Sequence, residues 1–165
     1  LYALDISKIA VDKTFNNLKI KNIKVQKIIC DGKSVNIWQK NIKKIDKNKK
    51  TLLSMWYFLH EISKNNKNNI IKFLKNIKKF LPNSHLLIGE IYKIKNEVLS
   101  TNRHSSIMPE FNFFHEISGQ GLLSENDYKS IFKEVGCKII QQKNFDIIYH
   151  GKKKYSTSSV TLIEL

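Results

Sequence analysis

A handful of residues in this chain pair a chemically useful side chain with a position from which a folded sheet could present it. His60 and Glu61 follow directly on an apolar run, Thr51 to Leu59. Glu90 closes a second run that starts at His85, and His115 lies inside Met108-Pro109-Glu110-Phe111-Asn112-Phe113-Phe114-His115. Two further acids end short apolar stretches: Asp5 after Leu1-Tyr2-Ala3-Leu4, with Ile6 next, and Asp31-Gly32 after Val25 to Cys30. Imidazole is a base near neutral pH, so a His within reach of a hydroxyl can take its proton. In open α/β sheets, ligands bind beyond the carboxyl ends of the strands, where such acids would stand. Each residue also has a plainer reading. An acid after a strand often caps the next helix, Glu61 can be a helix-start acid, and His115 among phenylalanines can be a hydrogen-bonded core histidine.

These residues need elements to position them. Leu1 to Leu4 reads as a strand, and Ser7 can cap a helix carrying Ile9, Ala10, Val11, Phe15 and Leu18. Val25 to Cys30 is a second strand that turns at Asp31-Gly32. Lys40 to Lys50 is basic and reads as a loop or a short exposed helix. Thr51 to Leu59 has the uninterrupted apolar look of a strand buried on both faces. Asn69 to Leu81 places Ile70, Ile71, Phe73, Leu74, Ile77, Phe80 and Leu81 at helical spacing, and Pro82-Asn83-Ser84 ends that helix. His85 to Glu90 is the next strand, and Tyr92 to Ser106 is polar and partly helical. Met108 to Ile117 is simply apolar, before a turn at Ser118-Gly119-Gln120-Gly121. Ser124 caps a helix through Val135, with Gly136 as its C-cap. Lys138 to Ile148 and Ser156 to Leu165 form a closing hairpin around His150-Gly151-Lys152-Lys153-Lys154. Alternating strands and helices predict an α/β fold: a Rossmann-like, mostly parallel sheet with helices on both faces and a C-terminal antiparallel hairpin strand.

The totals bound the partners. With 165 residues and 41% hydrophobic content, the chain can build one domain, expected to span 1–165. Its net charge of +15 invites a nucleic-acid reading. Against that, Arg103 is the only arginine, whereas bidentate phosphate and base recognition favours arginine. Lysines travel with asparagine and isoleucine, as in Lys64-Asn65-Asn66-Lys67-Asn68-Asn69, a compositional bias that accounts for much of the charge. No nucleic acid and no membrane is therefore expected as a partner. Cys30 and Cys137 stand far apart and form no CxxC pair, which suits a reducing, cytoplasmic setting.

In order, Asp5 at a strand end, Asp31-Gly32 after the next strand, Leu52 to His60, and the closing helix and hairpin from Ser124 resemble class I S-adenosylmethionine-dependent methyltransferases from their second strand onward. The resemblance spans the chain. It implies cofactor contacts at Asp5, Ile6, Asp31, Gly32 and Trp56, with Asp5 on the ribose hydroxyls and Asp31-Gly32 near the adenine amino group. Leu59-His60-Glu61, Phe80-Leu81-Pro82-Asn83 and Leu86-Leu87-Ile88-Gly89-Glu90 resemble the small-molecule O-methyltransferases, which implies His60 as the general base and Glu90 as the acid orienting it. The segment Met108 to His115 with Ser118 to Gly121 is similar instead to C-methyltransferases acting on 2-oxo acids. That branch implies a metal, iron or another divalent ion, held by His60, Glu61 and His115. Two histidines and one carboxylate leave open positions on such an ion, where a 2-oxo acid can chelate and enolise. Of the two, C-methylation of a 2-oxo acid is the favoured expectation and O-methylation with His60 as base the alternative. An inactive fragment or a basic nucleic-acid-binding module is the reading from another class.

The family's GxGxG loop is not found in the chain, and its place would fall before Leu1. The opening residue is Leu, already inside an apolar run. The expectation is a partial catalytic domain whose first strand and glycine-rich loop precede these residues. By itself it would be inactive or barely active, and the full-length protein would be a homodimer.

Overall fold

A computed structural model describes residues 1–42, 50–64, 66–101 and 108–165. Residues 43–49 of the basic stretch, and the end of the 92–106 stretch, lie outside the described residues. The chain divides into two compact units, Leu1–Asp46 and Lys47–Leu165.

In the first unit, strands β1 (Tyr2–Asp5) and β2 (Gln26–Ile29) pair in parallel, with Asp5 opposite Ile29. Helix α1 (Lys8–Ile20) connects them, as a parallel crossover requires. Ser7 caps it as its residue type predicts: its Oγ accepts from the Ala10 N–H at 3.3 Å. The expected apolar stripe on α1 is only partly used. Val11 is buried, but Ile9 is 81% exposed. Helix α2 (Val35–Asn41) was not anticipated. It buries Val35 and Trp38, two residues three apart on one helical face.

In the second unit, β3 (Thr51–Trp56) pairs in parallel with β4 (Ser84–Ile91), β4 pairs antiparallel with β6 (Lys153–Glu164), and β6 pairs antiparallel with β5 (Lys138–His150). The order is β3-β4-β6-β5. The hairpin turns through Gly151 and Lys152, where Gly151 has a φ of +59° that a side chain would oppose. Between β3 and β4 run α3 (Leu59–Ser63) and α4 (Lys67–Phe80). Helix α4 forms because burial outweighs propensity. Its Ile70, Ile71, Phe73, Leu74, Ile77 and Phe80 are all buried, each contributing ~1.5–3 kcal/mol. The poor helix formers Asn68 and Asn69 cost only about 0.5 kcal/mol each.

After β4 come α5 (Asn96–Thr101), α6 (Met108–Ile117) and α7 (Glu125–Val135). Helix α7 starts in a capping box, in which Ser124 Oγ accepts from Asp127 N–H and the Asp127 carboxylate accepts from Ser124 N–H. It ends at Gly136 in the left-handed conformation. The apolar stretch 108–117 forms helix α6. The strand expected through Leu59 stops at Trp56 and is not buried on both faces: Leu52 is 62% and Trp56 52% exposed. The physical reason is that β3 lies at the edge of its sheet, and Leu52, Ser54 and Trp56 alternate onto its exposed face.

Candidate active site

The second unit gathers its chemistry where β3 and β4 end. Their register sets Trp56 beside Gly89, so the residue after Gly89 stands next to the chain leaving β3. That chain turns sharply. Tyr57 takes a φ of +54° while its N–H donates to Gly89 O at 2.8 Å. Helix α3 then starts with no capping side chain of its own, since Phe58 at the N-cap has none to offer. Glu90 supplies it from 31 and 32 residues along the chain. Its Oε1 accepts from the N–H groups of Phe58 and Leu59, both at 2.7 Å. Two orphan helix donors are thereby satisfied by a carboxylate at the positive end of the helix dipole.

The other oxygen of Glu90 faces His60. Oε2 accepts from His60 Nδ1 at 2.9 Å, and the Tyr128 hydroxyl from α7 donates to it at 3.4 Å. The carboxylate thus gathers four donors and has no freedom to turn. His60 is 4% exposed and Glu90 3%. With Nδ1 donating to a carboxylate, the neutral imidazole carries its lone pair on Nε2, the arrangement a general base requires. Burial, with the Glu90 carboxylate adding to it, pushes the Tyr128 hydroxyl well above its usual pKa, so it acts as a donor.

A second imidazole reaches the same place. His115, on α6, meets His60 edge to face with ring centroids 5.1 Å apart. Its Nδ1 donates to Phe111 O at 2.8 Å, and its ring lies 3.9 Å from the Phe111 ring. A carbonyl can only accept, so His115 also keeps the lone pair on Nε2. The structure therefore brings together three of the four residues expected to carry the chemistry: His60, Glu90 and His115.

Glu61 is the fourth, and the metal triad built on it is not assembled. Among the described residues no group of three His, Cys, Asp or Glu side chains is placed to hold a metal ion. Glu61 instead lies in the first turn of α3, where the helix dipole favours an acid. Tyr128 and Asn112 were missed in the sequence. A polar aromatic on the buried stripe of a capped helix was the available signal for Tyr128.

In the first unit, Asp5 ends β1 and Asp31 follows β2, at the same end of the parallel pair. Asp5 Oδ1 accepts from Ser7 N–H at 2.8 Å and Asp31 Oδ1 from Lys33 N–H at 2.9 Å. Each acid thus shapes its own turn with one oxygen. Ile6 is exposed and Gly32 lies in the turn after Asp31. Trp56, in the second unit, bonds its indole N–H to Ser54 Oγ at 2.8 Å and spreads its ring over Gly89, where any Cβ would collide with it.

No family model matches the sequence, and no curated protein matches it. Solved structures do match. An S-adenosylmethionine-dependent methyltransferase from Clostridium acetobutylicum aligns with a TM-score of 0.58 and 11% identity over 99% of this chain and 74% of its own. One from Anabaena variabilis gives 0.56 and 13% over 99% and 67%. A third, from Leishmania major, gives 0.53 and 14% over 98% and 54%. The chain spans between about half and three quarters of these proteins. At such identities the likeness is one of fold: the Rossmann-like α/β architecture of class I methyltransferases.

Proposed function

We propose that this chain is the later part of a methyltransferase catalytic domain that moves a methyl group from S-adenosylmethionine to a hydroxyl oxygen of a small molecule. The observation that carries the reading is the buried hydrogen bond from His60 Nδ1 to Glu90 Oε2. The fold likeness supports the reaction class. S-adenosylmethionine supplies a methyl group on a positively charged sulfur.

Asp5 and Asp31 suit that cosubstrate. Each has spent one oxygen on its own turn, leaving a carboxylate at a strand end that can accept from ribose hydroxyls or an adenine amino group. Ile6 and Gly32 are the other contacts proposed in the first unit, and the exposed ring of Trp56 is proposed separately in the second. The protein is proposed to act as a homodimer.

His60 Nε2 takes the proton of the acceptor hydroxyl as its oxygen attacks. Glu90 holds the Nδ1 proton, fixes the ring and offsets the charge that the imidazole gains. Phe58 N–H, Leu59 N–H and the Tyr128 hydroxyl hold Glu90 in turn. This reverses the order in which the sequence ranks the two methyl acceptors. C-methylation of a 2-oxo acid leans on a chelated metal, and among the described residues no group of side chains is placed to hold one.

Mass spectrometry of the product decides between the acceptors. The full-length protein carrying this chain is supplied with S-adenosylmethionine, 2-methylphenol and phenylpyruvate in strong chelator. O-methylated phenol is expected. A C-methylated oxo acid, formed only when chelator is omitted, would overturn the reading.

A further inference from the structure

The polar atom that the fold leaves unexplained is Asn112 Oδ1. Asn112 sits on α6, 3% exposed, and its Nδ2 donates to Ile94 O at 2.8 Å. That bond fixes the amide orientation, because the opposite flip would press two acceptors together. Oδ1 is then a committed acceptor, buried, and without a partner among the described residues. Leaving such an atom unpaired costs about 1–3 kcal/mol, so a protein keeps one chiefly where something else will pair with it.

Its place in the fold says what that is. Asn112 and His115 are three residues apart on α6, hence neighbours on one side of the helix. His115 touches the ring of His60. Ile94, which anchors the amide, lies four residues beyond Glu90 on the segment leaving β4. One helix therefore delivers two groups to the end of β4, a bound imidazole and an unpaired carbonyl oxygen. With His60 Nε2 and His115 Nε2, all three open positions are hydrogen-bond acceptors.

Resting on the reading of His60 as base, we infer that Asn112 is a specificity-determining residue. Its Oδ1 receives an N–H or O–H donor adjacent to the reacting hydroxyl, so the substrate class is a hydroxyl compound with a second donor beside it. A site built to pair a donor discriminates against analogues that lack one, because its own acceptor is then left bare.

The test compares 2-aminophenol with 2-methylphenol, its isostere lacking the second donor, in methyl transfer by the full-length protein. The wild type is expected to favour 2-aminophenol by roughly tenfold in kcat/KM, the scale of one neutral hydrogen bond. Asn112→Leu should bring the ratio near one, chiefly by lowering kcat/KM for 2-aminophenol. As a readout independent of any variant, the Asn112 side-chain amide signal in nitrogen-labelled protein should shift with 2-aminophenol and not with 2-methylphenol. A ratio unaffected by Asn112→Leu, or an amide signal that ignores both probes, overturns the inference and leaves Oδ1 to a buried water. Turnover that survives loss of the His60 imidazole would instead sink the base reading, whatever the ratio does.

Discussion

Glu90 and His60 lie 30 residues apart in the chain and 2.9 Å apart in the fold, joined through Oε2 and Nδ1. The same carboxylate closes the first turn of the helix that carries His60. One side chain therefore does two jobs: it starts α3 and sets the tautomer of the imidazole on it. A single change at Glu90 should disturb stability and chemistry together.

Glu90→Gln tests that coupling. The amide keeps the volume but replaces one acceptor oxygen by a donor, which must face either two backbone N–H groups or the His60 Nδ1–H. The loss expected in a denaturation experiment is about 1–3 kcal/mol, the cost of leaving buried donors unpaired. Nitrogen NMR should show the His60 tautomer preference weakened. A change in only one of the two would separate the roles of Glu90, and no change in either would contradict both.

The Tyr128 hydroxyl adds a pH dependence. Burial and the nearby Glu90 raise its pKa in the folded state, whereas the unfolded chain releases that proton near pH 10. A raised folded pKa contributes stability that is complete below the unfolded value and is lost as pH climbs through the folded one. Melting temperature should therefore fall above about pH 10, and Tyr128→Phe should flatten part of that fall. An identical alkaline limb in the variant would contradict the assignment.

Gly89 faces a different constraint. A Cβ there meets the six-membered ring of Trp56. Gly89→Ala is expected to cost about 1–3 kcal/mol as overpacking and to shift Trp56 fluorescence by expelling the indole. A neutral substitution would mean that the indole moves freely.

The surplus of lysine predicts nucleic-acid binding that is weak and disappears in moderate salt, since nothing beyond counterion release supports it. A mobility shift on duplex DNA that persists in moderate salt would revive the binding-module reading.

Local physics made much of this legible in advance. Ser7, Ser124 and Gly136 cap their helices where residue type says they should, and the stripe from Ile70 to Phe80 is buried as its spacing requires. His60 and Glu90 were visible as candidates because polar groups at the ends of apolar runs stand out, and His115 because it lies inside one. What stayed hidden depends on distant parts of the chain. Nothing near Leu59 reveals that its N–H will be capped by Glu90, or that Tyr128 will reach the same carboxylate. Thr51 to Leu59 read as doubly buried because composition alone cannot tell an edge strand from a central one. The metal triad is not found assembled among the described residues, where Glu61 stands in the first turn of α3. Asn112 gave no sign at all, because its significance is an atom left over once every other bond is made.

The most direct test is the turnover of His60→Ala in the full-length protein, with 2-aminophenol as methyl acceptor and folding checked by thermal melting. Loss of the base should lower kcat by about 10²- to 10⁴-fold, with little change in the binding of S-adenosylmethionine. A folded His60→Ala protein that methylates the phenol oxygen at the wild-type rate would contradict the account.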